Sequence, residues 1–183
     1  MPHYDVIVLG GGAAGLMSAL VAGRRGRRVL VLDSSNRVGK KILMSGGGRC
    51  NFTNLNVEPE HYLSANPHFC KSALSRYTQW DFIALVEKHG IAYHERKHGQ
   101  LFCDHSAKDI LGMLQSECDD VGVTIRTHWQ PAGIAATDVA PARFAITDGT
   151  QSYTAASLIV ATGGLSIPKM GASGYGYDLA REF

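Results

Sequence analysis

The sequence lacks the features that would place it in several functional classes. It has no C-x-x-C pair, and its four cysteines, Cys50, Cys70, Cys103 and Cys118, show no zinc-site spacing. Unclustered cysteines fit a reducing, cytoplasmic setting. An excess of either charge is missing: 18 Lys and Arg face 16 Asp and Glu, and the net charge of +2 gives no ground for a nucleic-acid partner. Residues 6–22 are almost wholly apolar, but three consecutive glycines interrupt them, Asp5 precedes them and arginines follow. That arrangement fits neither a secretory signal nor a membrane span, so no membrane partner is expected. With 45% hydrophobic and 19% charged residues, the 183-residue chain can form a core, and its length suits one domain or one large fragment.

What is present begins at the amino end. Asp5-Val6-Ile7-Val8-Leu9 is a short apolar run, followed at once by Gly10-Gly11-Gly12-Ala13-Ala14-Gly15. Residues 16–25 are rich in Ala, Leu and Val, Gly26 stops them, and a second apolar run ends on Asp33. Strand, glycine turn, helix, strand and acid in that order predict a dinucleotide-binding βαβ unit over residues 4–33. Gly10 permits the turn, Gly12 lets a diphosphate approach the backbone, and Gly15 allows close helix–strand packing. The unpaired N–H groups of the first helical turn, from Ala13 and Ala14 onward, attract phosphate. Asp33, 23 positions after Gly10, is the candidate ribose acceptor, and its charge opposes a 2′-phosphate. The basic run Arg24-Arg25-Gly26-Arg27-Arg28 reads as cations at a helix C-terminus capped by Gly26.

Residues 34–56 form a long connection rich in glycine and hydrogen-bonding side chains, which is functional rather than a flexible linker. Arg37, Lys40 and Lys41 are candidates for phosphate or cofactor-edge contacts. Residues 66–121 are expected to be largely helical. One helix starts at Asn66, a second opens with the capping box Thr78-Gln79-Trp80-Asp81, and a third is capped by Ser106; short strands fall at residues 91–93 and 100–103. Residues 123–155 read as a strand and a small antiparallel meander turning at Asp148-Gly149. Residues 157–176 read as a separate apolar strand breaking into Ala161-Thr162-Gly163-Gly164 and a second glycine-rich loop. Such a bend lets backbone approach a ligand at the carboxyl edge of a sheet. The string His94-Glu95-Arg96-Lys97-His98 matches H-E-x-x-H, but the glycines at positions 90 and 99 deny it the helix a zinc protease needs, so no metal site is expected. A helix opens at Tyr177 and the chain stops within about two turns, so the sequence is expected to be the truncated N-terminal part of a longer protein.

These motifs resemble the YhiN/BaiN-like FAD-dependent flavoproteins, a group with aminoacetone oxidase-like members. The resemblance spans essentially the whole chain. It rests on the first glycine turn, Gly39-Lys40-Lys41, Met44-Ser45-Gly46-Gly47-Gly48-Arg49-Cys50-Asn51-Phe52-Thr53-Asn54, Gln100-Leu101-Phe102, and Ala161-Thr162-Gly163-Gly164-Leu165-Ser166. It implies an α/β, Rossmann-like FAD-binding domain of the two-dinucleotide-binding type. It also implies that the loop holding Ser45, Gly46, Gly47, Arg49, Cys50 and Asn51 runs beside the flavin, and that Ala161, Thr162, Gly163 and Gly164 form the second FAD-contacting motif. A substrate domain and a final FAD segment would lie beyond this chain. The expected activity is an NAD(P)/FAD-dependent oxidoreductase acting on a small molecule, with NADH or NADPH as electron donor. No side chain identifies itself as the general base. The alternative is a non-catalytic dinucleotide-binding or interaction module.

Overall fold

The β-branched run Val6-Ile7-Val8 ending on Leu9 makes His3–Leu9 a strand (β1), and the wholly buried Val29–Leu32 makes the next (β2). Between them lies α1 (Ala13–Arg24), which turns Gly15, Leu16, Ala19, Leu20 and Gly23 inward. It closes in a Schellman motif: Gly26 takes φ +72°, its N–H reaches the Gly23 carbonyl at 2.8 Å, and the Arg27 N–H reaches Ala22 at 3.2 Å. Arg24 pairs with Glu117, a buried carboxylate on α5 (Ala107–Asp120), so that cation stabilises packing as well as the helix end.

The computed structural model describes residues 1–166 and 173–183, arranged as two units: Met1–Lys41 with Leu114–Phe183, and Ile42–Met113. In sequence, the second unit lies between the two segments of the first.

The first unit is built on a six-stranded sheet. Its further strands are β6 (Thr124–Arg126), β7 (Gly133–Ala136), β8 (Phe144–Thr147) and β9 (Ser152–Val160), and the spatial order is β6-β2-β1-β9-β8-β7. β6, β2, β1 and β9 are parallel; β8 pairs antiparallel with β9, and β7 antiparallel with β8. The expected break near position 156 is absent. The third strand of the meander and the strand leading into the Thr-Gly-Gly bend are one element, because β9 pairs with β8 through its first half and with β1 along most of its length. Tyr4, Ile7, Leu30, Trp129, Ile146, Tyr153 and Leu179, the last from α6 (Tyr175–Glu182), share one core. Each fully buried aliphatic side chain there contributes about 1.5–3 kcal/mol.

The second unit carries α2 (from Lys40, at the unit boundary, to Met44), β3 (Asn51–Asn54), α3 (Lys71–Arg76), α4 (Gln79–Lys88), β4 (Tyr93–Glu95) and β5 (Gln100–Cys103). The three strands form an antiparallel sheet ordered β3-β5-β4. Residues 34–56 are therefore not one loop. The expected helix from Asn66 starts only at Lys71, because the Asn66 side chain accepts the His68 N–H at 3.0 Å and makes a turn. The capping box is present as expected, with Thr78 N–H donating to Asp81 at 2.7 Å. His94 lies on β4 and His98 in a tight turn at φ +63°, so the H-E-x-x-H string is a hairpin. Among the described residues, no group of three or more His, Cys, Asp and Glu could hold a metal, and no helix is long and apolar enough to cross a membrane.

Candidate dinucleotide site

The first unit gathers its site at the carboxyl ends of three neighbouring parallel strands. Leu9 is in register with Leu32 on one side and Val160 on the other. The chain therefore leaves β1, β2 and β9 at one edge, as Gly10, Asp33 and Ala161. Gly10 N–H donates to the Leu32 carbonyl at 2.8 Å, and Ala161 N–H to the Leu9 carbonyl at 2.8 Å. Gly10 takes φ +101°, and a Cβ there would overlap the Ala161 carbonyl oxygen. The two bends that the sequence singled out are in van der Waals contact. A side chain on Gly15 would collide with the Gly10 carbonyl, which is why the helix can approach the turn so closely.

Gly12 differs from these. It is the N-cap of α1, with no side-chain cap and no acid in the first helical turn, and a Cβ on it meets nothing within 4 Å. Ala13 and Ala14 are exposed beside it. An uncapped helix start with positive dipole and open space above it suits a diphosphate. The residues present therefore fit the dinucleotide that the resemblance implies.

Asp33 is held in place on both oxygens. Gly11 N–H donates to Oδ2 at 2.6 Å, Ser35 N–H donates to Oδ1 at 2.8 Å, and the Ser35 hydroxyl also donates to Oδ1. The carboxylate thus joins the glycine turn to the end of β2, with Oδ1 doubly occupied and room on Oδ2 for one further donor. Sequence reading missed two supporting residues. Ser35, two positions after Asp33, follows the pattern of a side chain bonding the backbone two residues on, and that pattern could have revealed it. Val38 is buried against Gly11, and the Gly39 N–H reaches the Gly11 carbonyl at 2.8 Å.

Lys41 comes to the second bend. Its Nζ is 3.3 Å from the Ser166 hydroxyl and 3.6 Å from where a Gly163 Cβ would stand. A side chain on Gly176, at the start of α6, would overlap the Thr162 hydroxyl, so α6 packs directly on that bend. Lys40 is partly buried and Arg37 exposed. Part of the second glycine-rich loop, Gly171-Ala172, lies outside the described residues.

Ser45, Gly46, Gly47, Arg49, Cys50 and Asn51 belong to the second unit. There, Gly46 and Gly47 are left-handed at φ +58° and +67°, and Gly46 sits against the Phe102 ring with no room for a side chain. Arg49 Nη1 donates to the Asp104 carbonyl at 2.7 Å, and the Asn51 amide nitrogen donates to the carbonyls of Thr53 and Leu101 at 3.1 and 3.3 Å. Cys50 is buried, and burial pushes its thiol above the usual range, partly offset by a hydrogen bond with Ser45. Burial drives Cys103 up to about 12, with Cys50 nearby adding to the rise. Such thiols stay protonated at neutral pH, which fits a structural rather than a redox role for Cys50.

Over residues 4–183 the chain matches the HI0933-like protein Rossmann domain. It is 52% identical over 183 residues to the ribosomal RNA dihydrouridine synthase of Escherichia coli, covering 100% of this chain and 45% of that protein. It is 29% identical over 178 residues to the 3-dehydro-bile acid delta(4,6)-reductase of Clostridium scindens, covering 96% and 42%. The chain therefore spans less than half the length of these relatives. Among solved structures it resembles the 3-ketosteroid-delta4-(5alpha)-dehydrogenase of Rhodococcus jostii, with a TM-score of 0.61 and 15% identity over 90% of this chain and 46% of the other. That last likeness is one of fold.

Proposed function

The chain belongs to the HI0933-like Rossmann-domain family, a family of FAD-binding flavoproteins, and from that premise we propose that it is the FAD-binding part of an oxidoreductase that reduces a carbon–carbon double bond conjugated to a carbonyl. The names of the two relatives share that chemistry. Dihydrouridine is uridine with its ring double bond reduced, and that bond is conjugated to a ring carbonyl. A 3-dehydro bile acid with delta-4,6 unsaturation is a conjugated ketone. At 52% identity over the whole chain, a uridine in ribosomal RNA is the proposed substrate. Charge alone gave no reason to expect a nucleic-acid substrate, because base chemistry needs no large net charge. NADH or NADPH is the proposed electron donor.

The observation that carries the reading is the contact between the Gly10 turn and the Ala161 bend at one sheet edge, below an uncapped helix start. FAD, when bound, supplies a two-electron hydride carrier. The chain's own residues do the holding. The backbone of Gly12, Ala13 and Ala14 receives the diphosphate, Asp33 accepts a hydrogen bond from the ribose through Oδ2, and Lys41 brings a positive charge to the Thr162-Gly163-Gly164 bend. A cation there favours the form of a bound ring that carries more negative charge. The four free, buried cysteines suit the reducing, cytoplasmic setting proposed with this reading.

The test is made on the full-length protein. Purified with FAD and given NADPH or NADH anaerobically, it is incubated with unmodified ribosomal RNA, whose nucleosides are then analysed by mass spectrometry. Gain of two hydrogens on uridine supports the reading. Flavin that no nicotinamide reduces and no RNA reoxidises would favour a non-catalytic dinucleotide module.

A further inference from the structure

Residues 61–80 of the second unit contain no aspartate or glutamate, and they carry Lys71, Arg76, His61 and His68. In the same stretch Tyr62, Phe69, Tyr77 and Trp80 are exposed, at 41%, 56%, 41% and 58%. A single exposed apolar residue needs no explanation, but four aromatic rings exposed within twenty acid-free residues do. The backbone beneath them is pinned. The Gln79 amide donates to the Leu55 carbonyl at 3.0 Å, His61 Nδ1 lies 2.8 Å from the Asn56 carbonyl, and the Thr78–Asp81 capping box fixes the start of α4. Of the acids near Trp80, Asp81 is consumed in that box, while Glu87 and Glu95 line a cavity beside the ring.

From this we infer that residues 61–80 form a platform for single-stranded RNA, which deepens the substrate reading above and rests on it. Aromatic rings stack on bases only where the bases are splayed from a duplex, and Lys71 and Arg76 on α3 supply the phosphate contacts. Trp80 also lines an open cavity of about 400 Å³ with Ile83, Glu87, Tyr93 and Glu95. The Tyr93 hydroxyl donates to Glu87 at 2.8 Å, holding that carboxylate in place. Carboxylates repel phosphate and accept from base N–H groups, so this cavity takes a base edge rather than the backbone.

The experiment measures binding of a labelled short oligouridylate, single-stranded or annealed to its complement, to the full chain. Single strand is expected to bind more tightly than duplex. Trp80→Leu and Phe69→Ala are each expected to weaken it about tenfold, within the range that loss of one stacked base gives. Lys71→Glu with Arg76→Glu should weaken binding and flatten its salt dependence. Trp80 is exposed and the only other tryptophan, Trp129, is buried, so RNA should quench tryptophan fluorescence in the parent chain and not in Trp80→Leu. Circular dichroism confirms that the variants fold. Unchanged affinity in the variants overturns the platform and leaves the uridine reading intact. Failure of the parent chain to bind single strand also overturns the platform, while the mass-spectrometric assay decides the substrate separately.

Discussion

Gly12→Val separates cofactor binding from folding. Gly12 sits at φ −81° and ψ −171°, an extended conformation open to any residue, and a Cβ there meets nothing within 4 Å. Replacing an N-cap glycine by an apolar residue costs a few tenths to about 1 kcal/mol. Loss of chain freedom in the unfolded state returns about 0.4–1 kcal/mol. The two nearly cancel, so the thermal midpoint of the apoprotein should stay within a few degrees. A diphosphate seated on the helix start, however, meets the new side chain and loses charge-assisted hydrogen bonds to the first-turn amides. At about 1.5–3 kcal/mol for hydrogen bonds to a charged group, FAD affinity should fall roughly 10- to 150-fold. Gly15→Ala is the contrasting case: its methyl would overlap the Gly10 carbonyl, so it should destabilise the fold itself. Flavin fluorescence titration and thermal unfolding of the apoprotein read the two quantities. A Gly12→Val variant that binds FAD like the parent would refute the placement of the diphosphate.

Asp33→Ala should weaken FAD binding at least tenfold and also lower stability, because it frees the Gly11 and Ser35 N–H groups; Arg28→Ala, whose guanidinium lies 4.7 Å over the Tyr4 ring, should change FAD affinity less than twofold in the same titration. Lys41→Met should weaken FAD binding and reduce its dependence on salt, since a point charge is removed from the Thr162-Gly163-Gly164 bend; an unaltered salt slope would exclude Lys41 from the site. Burial pushes the Cys103 and Cys118 thiols up to about 12 and about 11, so neither should react with iodoacetamide at pH 8 until the chain unfolds. The folded state keeps these protons while the unfolded chain releases them near the ordinary thiol value. Stability from this source is therefore complete below that value and declines as pH rises above it, which denaturant titrations from pH 7 to pH 10 would show.

The amino-terminal crossover was legible because everything that specifies it is local: two apolar runs, a glycine turn, a small-residue helix and a terminal acid. The capping box of α4 was legible for the same reason. β9 was not, since Ala155-Ala156 gives no periodicity and the strand is made continuous by pairing with β8 and β1 at once. β3 was read as loop because Asn51-Phe52-Thr53-Asn54 is polar; it is extended because Gln100–Cys103 offers it a partner. In the site, Gly10, Gly12, Gly15 and Asp33 followed from the motif. Ser35 and Val38 act through a side-chain turn and a packing contact whose meaning appears only when Gly11 is in place. Lys41 was singled out for its charge, and its meeting with Gly163 and Ser166, more than a hundred positions on, needed the folded chain.

Hydrogen exchange of the protein with and without FAD tests the central claim most directly. Residues 11–15 and 161–163 leave neighbouring strands at one edge, so FAD held there should slow exchange in both segments together, with the same dependence on FAD concentration. Protection of one segment without the other, or of neither at saturating FAD, would contradict the account.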